Sequence, residues 1–438
     1  MRVLIAAAGP VTRLSRNGAG HGGINMAHEA NAPVSGSERL GELDIIRGVA
    51  LLGVLWMNLA AHGELALPVG HLATLPTYPA DRLIGFLTSW LVAGKAQALF
   101  SLLFGFGFAL LLDRIDARRG NGTRIYLRRL SILLVVGFAH LCLAWTGDIL
   151  HAYAAMGFVL LLTRRWPARR LLLVGLPLAC LGMAAVSLVQ MLSGSEGSAA
   201  MMAVWLEGSE RRFELFQGSD YPAYVRELVV SIWSEVYAFA FGWASLGWIL
   251  GRFMIGSWIY RLSWFQDSAG HAADFRRWAA VLLPLGLALA LARPLLDVLG
   301  VELEGALVAL DHLVRSTSQL VLALGYGAGL VVLCQSDAWK RRLSGFGAVG
   351  QMALTNYLAQ SLVYMFGLYG FGLGLLPYAG GTFCMLVAFA FFALQIVFSR
   401  WWLARYRFGP AEWLWRSLTY GVRQPMRARP RAIPLPAQ

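Results

Sequence analysis

Residues 164–192 read RRWPARRLLLVGLPLACLGMAAVSLVQML, in which 171–192 carries no charged side chain and 164–170 carries four arginines. A helix of about 20 apolar residues crosses a hydrocarbon core about 30 Å thick. The run is therefore a membrane helix with a basic flank at one end. Nine further stretches, some of them shorter, have the same character: 45–61, 96–112, 125–145, 149–163, 228–250, 278–299, 307–333, 347–370 and 381–402. The fold class expected is an all-α polytopic membrane protein with about ten crossings.

Threading these stretches through a bilayer separates the charges. Of the 37 Lys and Arg residues, all but Arg82, Lys95, Arg211, Arg212, Arg226, Arg293 and Arg315 fall on one side. Short cytoplasmic loops carry the excess of Lys and Arg, so that side is expected to be cytoplasmic and to hold both termini. For a bacterial chain this means the inner membrane. The organisation expected is a disordered tail (1–38), an N-terminal transmembrane half (39–192), an extracytoplasmic loop (193–227), a C-terminal transmembrane half (228–405), and an interfacial helix with a basic tail (406–438). Residues 1–11 only faintly imitate a signal peptide, because Gly9–Pro10 breaks a short apolar run, and Met26 offers a more ordinary translation start.

Composition agrees: 58% of residues are hydrophobic and 14% charged, too apolar for a soluble domain of this length. The net charge of +13 points to anionic membrane lipid as partner rather than nucleic acid, because no compact basic module is present. Cys142, Cys180, Cys334 and Cys384 form no CxxC pair, so neither a disulfide framework nor a zinc site is expected.

An ionisable side chain at the centre of a membrane helix costs about 2.5–3.5 kcal/mol on insertion scales, so each one needs a reason. In the sequence GFAHLCLAWTGDILHAYAAMG (137–157), His140 ends one crossing, Asp148 opens the next, and His151 lies one turn beyond on the same face. Asp148 suits a helix cap; with histidines beside it, it also suits orientation of an imidazole acting as general base. The spacing is too generic for a metal site, and none is expected. Asp44 and Arg47 share a face and are read as an ion pair at the helix entrance, with Asp44 as N-cap, or as part of a phosphate site. Asn58 and His62 share a face at the outer mouth. Residues 81–93 are read as an amphipathic outer helix on the interface, leaving Lys95 at the outer end of the second crossing. Asp311 and Arg315 are spaced to pair, as are Glu412 and Arg416. The polar residues of RSTSQ (315–319) and QMALTNYLAQS (351–361) are read as interhelical hydrogen bonding or the lining of a polar tunnel. The Phe/Gly cluster at 100–108 and GWILG (247–251) point to close helix packing.

The ordered set LDIIRGVALLGVLWMN, KAQALFSLLFGFG, YLRRL, GFAH, GDILHAYA, GQMALTNYLAQS and FGPAEWLWRSLTYG resembles the bacterial YeiB-like family, from Arg39 to Tyr420. Its C-terminal half is a domain of unknown function, and the family is related to the transmembrane acyltransferases. The resemblance implies acyl transfer from cytosolic acyl-CoA, acetyl-CoA first, to a hydroxyl or amine of an unknown glycan, lipid or small molecule across the membrane. In related heparan-glucosamine acetyltransferases a histidine after the first crossing is catalytic, and His62 is its nearest counterpart. The expected mechanism has Arg47, Arg128 and Arg129 holding donor phosphates. His140 acts as base, oriented by Asp148 and flanked by His151, and Asn58, Lys95 or Asn356 stabilises the oxyanion. The rival expectation is a transporter or channel for a lipid or small metabolite, using the same polar residues without a thioester donor. Self-association of the chain stays open.

Overall fold

The computed structural model describes residues 40–68, 70–119, 122–194 and 197–427. The tail 1–38 and the alternative start at Met26 lie outside the described residues, as does the end of the basic tail. In chain order the helices are α1 (Gly41–Ala66), α2 (Tyr78–Leu91), α3 (Lys95–Arg119), α4 (Gly122–Leu143), α5 (Leu150–Leu162), α6 (Ala168–Leu192), α7 (Gly197–Gln217) and α8 (Tyr221–Ser231). There follow α9 (Ala240–Arg261), α10 (Ala272–Val298), α11 (Ala306–Cys334), α12 (Asp337–Arg342), α13 (Ser344–Gln351), α14 (Ala353–Val363), α15 (Gly381–Leu403) and α16 (Pro410–Tyr420). Among the described residues the sole β pairing is an isolated bridge between Tyr406 and Arg427.

Among the described residues seven apolar helical runs are long enough to span a membrane: α1, α2 with α3, α4, α6, α10, α11 and α15. Their outward faces are themselves apolar. Leu173 on α6, Val281 on α10, and Leu386, Leu394 and Val397 on α15 are all more than half exposed, a surface that only lipid tails cover without cost. The chain is a multi-pass membrane protein. The three other expected crossings are short or broken. Segment 149–163 is the 13-residue α5, 228–250 joins α8 to α9 through a π-helical turn (Ile232–Tyr237), and 347–370 is divided into α13, α14 and a second π turn (Tyr364–Leu368).

Close backbone approach organises the bundle. A Cβ on Gly48 would strike the Phe346 carbonyl and one on Gly350 the Asp44 carbonyl, so α1 and α13 cross in contact. Gly105 meets Phe253 and Gly256 meets Leu102 where α3 crosses α9, and Gly251 meets Gly175 between α9 and α6, as the glycine patterns predict. The core forms two clusters, one around α3, α6, α9 and α11, the other around α14 and α15, and α1 contributes to both.

Two expectations are corrected here. Asp44 is not the N-cap, because α1 already begins at Gly41 with Leu40 as its cap residue; Asp44 does pair with Arg47 at 2.7 Å. Residues 81–93 do not lie across the bundle's end. Trp90 Nε1 donates to the Leu287 carbonyl, about eleven residues inside α10 or roughly 16 Å at 1.5 Å per residue. Tyr326, well inside α11, donates to the Leu91 carbonyl. The break between α2 and α3, with Gly94 at φ +75°, is thus part-way along its neighbours, and Lys95 sits there rather than at an outer end.

Candidate functional site

His140 and Asp148 are eight positions apart in the chain, and local geometry brings them together. A Cβ on Gly137 would meet the backbone of His151 and Leu150, so α4 and α5 touch where the turn closes. His140 Nδ1 lies 2.8 Å from Asp148 Oδ1, and His151 Nδ1 lies 2.9 Å from Oδ2. Oδ2 also accepts the His151 backbone N–H of the first turn of α5, so Asp148 does a cap's work from one residue before the cap position, which Ile149 holds. All three residues are buried. Burial by itself pushes the Asp148 carboxyl up, but hydrogen bonds from His140 and His151 outweigh it and hold the carboxyl below the usual range.

An ionised carboxylate only accepts, so both imidazoles donate from Nδ1, and in the neutral tautomer Nε2 is left as acceptor. Each Nε2 faces a hydroxyl: Ser361 Oγ at 2.6 Å from His140 and Tyr237 Oη at 2.6 Å from His151. The Tyr357 hydroxyl donates to Asp148 at 3.3 Å. The result is two arms on one carboxylate, Ser361–His140–Asp148 and Tyr237–His151–Asp148. The first has the connectivity of a nucleophile, base and orienting acid. Tyr237 ends one π turn, and Ser361 lies one helical turn before the other; such turns are frequent at functional sites. Sequence reading missed Ser361, Tyr357 and Tyr237 as site members. The first two stand in QMALTNYLAQS, where polarity alone marked them, and Tyr237 had no mark.

The other predicted residues stand outside these two arms. His62 is buried in an aromatic box, with ring centroids 3.5 Å from Trp145 and 4.2 Å from Tyr364. Neither of its nitrogens has a hydrogen-bond partner. Asn58 is buried one turn earlier on α1. Asn356 donates to the Val349 carbonyl and to Ser399 Oγ, and its own carbonyl accepts from Gln395, so it knits α13, α14 and α15. Lys95 donates to the Ser89 carbonyl in a different part of the bundle. Asn356 and Lys95 do not converge on His140.

The three arginines share one end of the bundle. Arg47 binds Asp44 and the Gly350 carbonyl. The Arg129 guanidinium stacks 3.4 Å over Trp415 of α16, and Trp415 Nε1 donates to the Arg129 carbonyl. Arg128 is exposed beside Gly421. Glu412 reaches beyond its own helix: its oxygens accept the backbone amides of Leu354 and Thr355 and the Thr355 hydroxyl.

Over 420 residues the chain is 30% identical to the uncharacterized protein YxaH of Bacillus subtilis (strain 168), across 90% of this chain and 97% of that protein. It is 30% identical over 399 residues to the uncharacterized protein YeiB of Escherichia coli (strain K12), across 87% and 96%. The chain belongs to the YeiB-like family. An uncharacterized 39.9 kDa protein in the amylase 3' region of Bacillus acidopullulyticus is 26% identical over 403 residues, across 90% of this chain and 97% of that protein. A family described as "Protein of unknown function (DUF418)" matches residues 259–422. No solved structure matches the chain. In this YeiB-like protein the DUF418 segment contributes Ser361 and Tyr357, while His140, Asp148, His151 and Tyr237 precede it. The polar cluster is assembled only where the two halves meet.

Proposed function

We propose that this YeiB-like protein is an inner-membrane acyltransferase that moves an acyl group, acetyl first, from cytosolic acyl-CoA to a hydroxyl or amine at the extracytoplasmic side. The observation that carries the reading is the buried Ser361–His140–Asp148 arm. His140 Nε2 takes the Ser361 proton as Oγ attacks the thioester carbonyl, and the CoA thiolate leaves with that proton. An acceptor O–H or N–H then gives its proton to His140 and attacks the acyl-serine; Ser361 Oγ recovers the proton as the acyl group departs. Asp148 keeps the imidazole in the required tautomer and balances its charge.

The donor enters at the arginine-rich end. Arg128, exposed and in no ion pair among the described residues, meets its phosphates with Arg129 and Arg47 beside it. From Arg129 to His140 along α4 is about 16 Å at 1.5 Å per residue, a span suited to an extended pantetheine arm. That end is cytoplasmic by its arginine content. It holds the start of α1, through Glu42 and Lys340, and α16 against α4, so both termini are cytoplasmic. The short α5 and the two broken segments complete ten crossings.

The test is incubation of purified protein in nanodiscs with radiolabelled acetyl-CoA, reading free thiol and a label on the Ser361 peptide. Wild type is expected to release CoA and trap label, and Ser361→Ala and His140→Ala to do neither. Equal thiol release by wild type and Ser361→Ala ends the assignment. A second reading, a transporter or channel for a lipid or small metabolite, is favoured by the helix breaks at Gly94 and Met352, since transporter sites use discontinuous helices. Solute flux into liposomes without CoA consumption would support it.

A further inference from the structure

Away from the histidine arms, the break between α2 and α3 opens a cavity of about 140 Å³. It is lined by Ser89, Gly94, Lys95, Arg293, Arg315 and Gln319, with Asp311 as the one carboxylate among its lining residues. It shares Arg293, Asp311 and Arg315 with a wider vestibule of about 550 Å³ at the arginine-poor end of α10 and α11. Three cations therefore face one acid in the inner cavity, and that acid is already taken. Asp311 accepts from Arg315 at 2.5 Å and lies 3.6 Å from Arg293, whose nearer partner is Asp297 of the vestibule at 2.7 Å.

Lys95 is the outlier. It is 4% exposed, stands at the first position of α3 where the helix presents its positive end, and is in no ion pair among the described residues. Its recorded partner is the Ser89 carbonyl. Behind it Arg252 is fully buried, with Nε and Nη1 lacking partners. It stacks over Trp248 and donates from Nη2 to Gln319 Oε1 at 3.0 Å. A guanidinium only donates, so Gln319 must give it the carbonyl oxygen and turn its NH₂ toward Gly94, where a Cβ would strike it. The ammonium, the guanidinium of Arg315 and the Gln319 amide are thus all donors around one small space. Buried cations without a counter-ion are strongly unfavourable, and this arrangement completes itself when an anion enters.

We propose that this cavity binds a phosphate group delivered through the vestibule, either free phosphate or the head of an anionic lipid, with Lys95, Arg315 and the Gln319 amide as its donors. The vestibule carries both signs, Arg293 and Arg315 against Asp297, Glu302 and Asp311, with His312 beside them, so it admits an anion without trapping it. The inner cavity, with its excess of cations, holds it. The site stands apart from acyl transfer and does not rest on it.

The experiment uses full-length protein purified in a phosphate-free maltoside detergent. Inorganic phosphate is titrated while the unfolding midpoint is read, and native mass spectrometry follows retained phosphatidylglycerol. If the ligand is free phosphate, the midpoint rises saturably, and Lys95→Gln and Arg315→Gln each weaken the apparent affinity at least about tenfold. Lys95→Arg keeps most of it, and Arg276→Gln at the other end leaves it unchanged. If the ligand is a lipid head, phosphate has little effect, while wild type retains phosphatidylglycerol and Lys95→Gln loses it. Should Lys95→Gln fail to fold, Gln319→Leu provides the same reading through the amide donor. A wild type that neither responds to phosphate nor retains the lipid overturns the proposal, as does binding that Lys95→Gln and Gln319→Leu leave intact.

Discussion

Asp148 serves two imidazoles at once, and that division decides what its isostere does. Asn offers one acceptor oxygen where Asp offers two, so Asp148→Asn still caps α5 but leaves one Nδ1–H without a partner. That imidazole changes tautomer, and its Nε2 becomes a donor facing a hydroxyl. Under the acyl-transfer reading the expected loss in kcat is roughly 100-fold or more with the fold intact. Thiol release at wild-type rate would reduce Asp148 to a cap. The Asp148 carboxyl is held low in the folded protein by its histidine partners. Its contribution to stability is then present above the ordinary carboxylate range and lost as pH falls through the lowered value. Below about pH 4 the melting midpoint of wild type should drop more than that of Asp148→Asn; parallel curves would contradict the linkage. His140, Asp148 and His151 were legible because a single tight hairpin joins them. Ser361 was not, being 221 positions from His140 and brought there by the packing of α14.

At the scale of elements, the segment predicted as a continuous ninth crossing breaks at Met352, with φ −109° and ψ 38°. The amides freed at the start of α14 have no water inside a membrane protein, so another element must supply acceptors. Glu412 of α16 does so. Burial pushes its carboxyl above the usual carboxylate range, so it takes up a proton before an exposed glutamate does as pH falls. Glu412→Ala should cost about 1–2 kcal/mol, as loss of a cap does, and Glu412→Gln less, because its amide oxygen still accepts. Equal melting midpoints for wild type and Glu412→Ala would show the cap to be idle. Gly48 and Gly350 support the same region by letting α1 lie on α13. Adding a methyl at either forces the backbones apart, at a cost of about 1–3 kcal/mol measurable by thermal unfolding, and wild-type stability would refute the contact. Both devices depend on which helices become neighbours, which hydropathy does not encode.

For the whole molecule, the charge census makes a directional prediction. With the arginine-rich end cytoplasmic, a cysteine at Ser219 should react with an impermeant maleimide in intact cells and one at Ser336 only after lysis. The reverse pattern would invert the topology and move the proposed donor entrance to the other side. The location of Lys95 is a property of this scale too. Residues 78–117 form one apolar run by hydropathy, yet Gly94 at positive φ divides it, and contacts with Leu287 and Tyr326 set the division deep in the bundle.

The sequence by itself determined that the chain is helical and membrane-embedded, because 171–192 and its counterparts are too long and too apolar for anything else. It also determined that His140, Asp148 and His151 meet, since neighbours across a short turn have nowhere else to go. Tertiary structure alone decided the rest. It supplied Ser361 and Tyr237 to the imidazoles, enclosed His62 in aromatic rings, turned Glu412 to a broken helix, and left Lys95 with no ion-pair partner among the described residues. Each of these depends on contacts between residues remote along the chain. In a membrane almost every helix is apolar all round, so periodicity says little about which face meets which neighbour.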